Sequence, residues 1–280
     1  MIQKQRLVRI NHDTRRDYSH HLTFGSPVKT TKLLLPPAGL GRKPLSIKDQ
    51  GQSNYCTGYT IAEVIENQTG VLMSEAYVVA LEGMLAGSPI FAGVDPMTAL
   101  QTGRKLGALA KASAPLSFEK DGWQIPAEYQ SWPRELLELA YMYHRPSFYS
   151  ITAGGPDDFD IYESIRLALW DARDDKAPIV AFGYWYPQWQ QIGSNGVLPT
   201  PTTPPWTRHA YTMLDWTEKG IIVLSHQGEK YGDGGICYLP QEAANYVFKD
   251  FIQNGLGMYI YRSKNPPFAQ VFSSWIKKFI

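Results

Sequence analysis

The sequence predicts an α+β fold, with a helical N-terminal lobe, an antiparallel β-sheet C-terminal lobe and a cleft between them. Two patterns carry that expectation. Apolar residues recur at three- and four-residue spacing through the first half of the chain, as amphipathic helices require. Strand-like runs bounded by glycine and proline take over in the second half. Helices segregated from an antiparallel sheet are one of the few stable layer arrangements, and the junction between such lobes is a natural cleft.

Residues 1–44 read as an arm. They are polar and basic up to Lys32, then pass through LLLPPAGLGRKP, a short apolar anchor broken by Pro36, Pro37 and two glycines. Such an arm can pack across a domain surface or hold a protein partner. A single domain is expected over 45–280, its helical lobe over about 45–150, its β lobe over about 151–265 and a tail over 266–280. The run from Cys56 to Asn67 has helical spacing at Tyr59, Ala62 and Ile65, with Gly70 as a stop. SEAYVVALEGMLAG places Ser74 as an N-cap and Gly87 beyond the helix end. DPMTALQTGRKLG repeats the device, with Asp95 as cap, Pro96 in the first turn and Gly107 as terminator. Helices over 133–144 and 160–173 complete the set. Strands are expected at 177–185, 209–216, 221–226, in GGICYLP and in GLGMYIYR.

Composition narrows the function. The formal charge is +1, so nothing in the charge balance favours nucleic acid or an anionic membrane. No apolar run approaches the roughly 18 residues of a membrane span, and the first residues carry no apolar core of a secretory signal. Two cysteines in 280 residues make no disulfide framework. A cytoplasmic setting, or incorporation in a virion, is the corresponding expectation. The three histidines of the arm lack ligand spacing to any cysteine, so no metal or other cofactor is expected. Asp157, Asp158 and Asp160 precede a helix and read as acidic caps. Cys237 alternates within a strand and reads as a packed thiol. Trp185, Tyr186, Trp189 and Trp206 fit either a cleft wall or the core of the sheet lobe.

Cys56 opens a helix, where unpaired backbone amides and the helix dipole favour a thiolate. A histidine alongside would lower its pKa further, and His209, opening a strand after the long loop, is the best placed of the six.

DQGQSNYC, RHAYTMLDW and SHQGEKYGDGGICYLP together resemble the three signature blocks of papain-like cysteine peptidases, in the style of bacterial and phage members. The Cys56-to-His209 separation is close to the roughly 130–150 residues expected between nucleophile and base. The resemblance, which runs from about residue 33 to 262, implies that Cys56 attacks a carbonyl, that His209 is the base and that Gln50 donates to the oxyanion. It places Ser225 where the family has an asparagine that orients the histidine. The Ser225 hydroxyl is then expected to accept from His209 with a shorter reach. Gly93 and the backbone near Val94 would line the substrate groove, with Arg208 beside the base, where its charge would favour neutral imidazole. Further departures are Gln227 for a tryptophan, Thr57 for an aromatic residue and Ser53 for a cysteine. The implied activity is hydrolysis of peptide or isopeptide bonds through a thioester, on a peptide or protein substrate. The alternative is a weakly active or inactive component of a larger assembly such as a phage virion, since an arm of 44 residues is short for a dedicated inhibitor. An amidase or an acyl transferase of the transglutaminase kind could use the same chemistry.

Overall fold

Local signals set most helix boundaries. The protein is described by a computed structural model covering residues 35–87, 93–114, 134–151, 160–249 and 257–262. Helix α1 (Cys56–Thr69) stops where Gly70 turns left-handed and returns its N–H to the Glu66 carbonyl. Helix α2 (Glu75–Ala86) starts at Ser74, whose side chain accepts from the Tyr77 amide, and ends at left-handed Gly87. Helix α3 (Pro96–Lys105) has Asp95 accepting from the Met97 and Thr98 amides, with Pro96 in the first turn. Helices α4 (Arg134–Tyr141), α5 (Ile161–Asp171, capped by Asp160) and α6 (Gln241–Lys249) follow. Asp157 and Asp158 lie outside the described residues.

Among the described residues the strands are β1 (Ser147–Ile151), β2 (Ile179–Trp185), β3 (Thr207–Thr217), β4 (Gly220–Leu224), β5 (Ile236–Leu239) and β6 (Gly257–Arg262). They form one antiparallel sheet in the order β1-β6-β2-β3-β4-β5. The sheet is covered on both faces, so β2 reads as a continuous apolar run rather than an alternating one. Val180 and Phe182 face Ile61, Ile65 and Leu100 of α1 and α3. Ile179 and Ala181 point the other way, toward Ile165, Leu169, Val247 and Phe248 of α5 and α6.

The α+β class expected from the sequence is the one observed. The lobes are less cleanly divided in sequence than expected. Strand β1 lies at the end of the stretch assigned to helices, and two helices, α5 and α6, pack on the sheet. Trp185, Tyr186 and Trp189 belong to the core of the sheet lobe, whereas Trp206 is exposed. Cys237 is fully buried in that core.

The end of the arm is fastened to the sheet lobe. Leu35 is buried, and the Pro36 carbonyl accepts from Trp216 Nε1 at 2.7 Å. Asp215, buried next door, accepts the Leu40 amide at 2.9 Å and the Arg42 amide at 2.7 Å. Residues 1–34 of the 1–44 arm lie outside the described residues. No helix among the described residues is long and apolar enough to cross a membrane.

Candidate active site

Cys56 is the first residue of α1, and Tyr55 at the N-cap makes no side-chain capping bond. Cys56 packs against the apolar cluster that includes Ala210 of β3. That packing joins two elements far apart in sequence, and Ala210 is the strand residue next to His209. The residue is partly exposed. Burial of the sulfur nonetheless pushes its pKa up to about 11; the backbone N–H groups of Ala210, Thr57 and Cys56 work against that rise, and Glu82 on α2 adds to it. The helix terminus alone therefore does not produce the expected thiolate: desolvation outweighs the amides.

Glu82 is itself fully buried. Desolvation holds its carboxyl well above the usual range, although the Thr57 hydroxyl donates to it at 2.9 Å.

His209 stands on β3 opposite Gly183 and is only 8% exposed. Its ring meets Trp185 edge-on, centroids 5.1 Å apart. Its Nε2 lies 3.1 Å from the Ser225 carbonyl oxygen. A carbonyl can only accept, so Nε2 carries the hydrogen and Nδ1 keeps a lone pair. This differs from the sequence expectation in one respect. The bond runs to the main chain of Ser225, while its hydroxyl faces Cys237 Sγ at 3.8 Å. Burial, then neighbouring His226, push His209 down to about 3, against the opposing effect of the Ser225 carbonyl. Those two causes, not Arg208, keep the imidazole neutral; Arg208 is exposed at the start of the strand.

Gln50 is held from two sides. Its amide donates to the His226 carbonyl at 2.9 Å, and Gly228 N–H donates to Lys48 at 3.0 Å, so the 48–50 segment pairs with the chain after β4. Gly228 has φ +77, and a Cβ there would lie 2.8 Å from Asp49 Oδ2; both facts require glycine. The Gln50 side-chain amide donates to the Ser53 carbonyl at 3.3 Å, a long bond, and its buried Oε1 has no partner among the described residues. Below this segment, Lys48 bridges Glu66 at 2.8 Å and Glu75 at 2.5 Å. Burial would lower the Lys48 pKa, but Glu75 and Glu66 outweigh it and raise it.

Helix α1, which Cys56 opens, packs on β3, which carries His209; Ser225 after β4 anchors the His209 ring, and the next residue, His226, anchors the Gln50 main chain. Gly93, with φ +76, lies against the loop before the thiol, since a Cβ on it would come within 2.9 Å of the Asn54 carbonyl. Val94 packs behind that loop on Tyr55, Tyr59 and Val79. Sequence reasoning missed the Trp185 contact, the Thr57–Glu82 bond and a buried pair, Glu63–His226, described below. Glu63 carried a readable signal, because it shares a helix face with Cys56 and Tyr59.

No protein-family model matches the chain, and no curated protein matches it in sequence. Solved structures do. Xylellain, a cysteine protease from Xylella fastidiosa, is similar at 16% identity and a TM-score of 0.61, over 87% of this chain and 92% of that one. The cysteine protease CMS1MS2 from Carica candamarcensis, solved with E-64, is similar at 16% identity and TM-score 0.53, over 80% and 93%. Bromelain from Ananas comosus, also solved with E64, gives 14% and 0.52, over 82% and 100%. The chain has the fold of the papain-like cysteine proteases.

Proposed function

We propose that this protein is a thiol hydrolase that cleaves peptide or isopeptide bonds through Cys56 and His209. The observation that carries the reading is the 3.1 Å contact of His209 Nε2 with the Ser225 carbonyl, which leaves Nδ1 free to take a proton, on a strand whose next residue, Ala210, belongs to the cluster against which Cys56 packs. Cys56 Sγ attacks the substrate carbonyl while its proton passes to His209 Nδ1. Because burial favours thiol and imidazole at rest, transfer accompanies attack instead of preceding it. The Cys56 backbone N–H and Gln50 Nε2, which exchanges its long bond to Ser53, receive the developing oxyanion. The amine departs with the proton from His209 and leaves a thioester. Water then adds to the thioester as His209 takes its proton, and the acid product and free thiol are released. Gly93 lines the groove, and exposed Arg208 gives its leaving-group side a positive charge.

The second reading is a catalytically silent component of a larger assembly. It is favoured by the same burial, which keeps Cys56 as the thiol and makes His209 a weak base.

A peptide-based acyl mimic, with E-64 as a second probe, separates the two. General-base assistance contributes about 10²–10⁴-fold, so His209→Ala is expected to slow Cys56 labelling by at least about 10²-fold. Equal, sluggish labelling of the two proteins overturns the hydrolase reading in favour of the silent one.

A further inference from the structure

His226 does not belong to the signature chemistry, yet it is among the most constrained residues of the site. Its side chain is fully buried, and its Nε2 lies 3.2 Å from Oε2 of equally buried Glu63, two turns along α1 from Cys56. Tyr59 and His209 flank the ring, with centroids 5.7 and 6.2 Å away. Its backbone is left-handed at φ +59, one of two positive-φ residues other than glycine among the described residues. Histidine is among the residue types that tolerate that region, though at a cost that surrounding structure must overcome.

The consequence lies in where the carbonyls point. The peptide oxygen just before His226 is the one that accepts from His209 Nε2. The peptide oxygen just after it accepts from the Gln50 amide. One residue therefore lies between the carbonyl that anchors the base and the carbonyl that holds the Gln50 main chain, and its side chain is fastened to the helix that carries the nucleophile.

We propose that Glu63 and His226 are a positioning pair that does for this site what an orienting side chain at position 225 would otherwise do. The Glu63 carboxyl group accepts from His226 Nε2–H and holds the left-handed turn in place. The Ser225 carbonyl then stays on His209 Nε2, and Nδ1 keeps the lone pair that takes the thiol proton in the proposed reaction. The inference rests on the Cys56–His209 reading for its catalytic meaning but not for its geometry.

The test uses the full chain with ¹⁵N-labelled histidine and two readouts. The first is the slowly exchanging Nε2–H resonance of His209, assigned by its loss in His209→Gln. The second is acyl-mimic labelling of Cys56, resolved into maximal rate and half-saturating concentration. In Glu63→Leu the Nε2–H resonance is expected to lose its protection, and the maximal rate to fall about 10-fold, as for a lost buried hydrogen bond. The half-saturating concentration stays unchanged. Glu63→Gln, which keeps an acceptor of the same length, restores both readouts to within about twofold. If circular dichroism shows that Glu63→Leu is unfolded, His226→Asn decides, because asparagine tolerates the left-handed backbone but is too short for Glu63. A folded variant of either kind with wild-type resonance and rate overturns the proposal. Loss of the resonance without any His209-dependent labelling in the wild type supports the positioning geometry and refutes the hydrolase reading instead.

Discussion

Replacing Ser225 by alanine isolates the question of what orients His209. The Ser225 hydroxyl faces Cys237 Sγ at 3.8 Å, a weak contact with sulfur, while the His209 bond at 3.1 Å goes to the main-chain carbonyl. Alanine keeps that carbonyl and removes only the hydroxyl. Stability is expected to change by about 0.5–1 kcal/mol, the net worth of an ordinary hydrogen bond or less. The labelling rate of Cys56 is expected to stay within about threefold, because losing an orienting bond altogether would cost about 1–3 kcal/mol, or about 5- to 150-fold in rate. Ser225→Asn, which restores the residue type of the papain-like pattern, should not improve matters. Position 225 is fully buried, and forcing in the extra atoms costs about 1–3 kcal/mol. The assay pairs acyl-mimic labelling with urea unfolding of each variant. A tenfold or larger fall in rate for Ser225→Ala, at unchanged stability, would show that the hydroxyl orients the base and that the main-chain account is wrong.

Three further outcomes follow from the same geometry. The labelling rate should be level across neutral pH, with its acid limb near pH 3 and its alkaline limb near pH 11, following His209 and Cys56; an acid limb near the ordinary histidine value would refute the burial argument. The depressed His209 value also makes stability fall as pH drops from 6.5 through about 3. Wild type should therefore lose up to about 1.4 kcal/mol per pH unit relative to His209→Gln in that window, as read by denaturant unfolding at several pH values. Lys48→Met removes the cation between buried Glu66 and half-buried Glu75 and should cost about 3–5 kcal/mol at pH 7; a loss below about 1 kcal/mol would mean that the carboxylates find other partners.

The parts of this molecule that were legible in its sequence are those encoded by local rules. Ser74, Asp95 and Asp160 cap their helices because a short oxygen acceptor satisfies free amides wherever a helix begins. Strand β2 was visible as a bare apolar run because both its faces are covered. Strand β1, SFYSI, carried too weak a pattern between a helix and a loop, and its pairing with β6 depends on residues more than a hundred positions away. The site divides along the same line. Cys56 and His209 could be singled out because each opens or stands in an element with a readable boundary, and Gln50 through the resemblance of its block. The partner of His209 could not, because a main-chain oxygen leaves no mark in the identity of residue 225. What directs that oxygen is a backbone angle at His226 and a carboxylate on α1, 163 positions away in sequence. A substitution that seems to erode a catalytic pattern, serine for asparagine, therefore does not by itself measure lost function. The acceptor it appears to remove is supplied by the chain, and the residue that aims it is the one beside it.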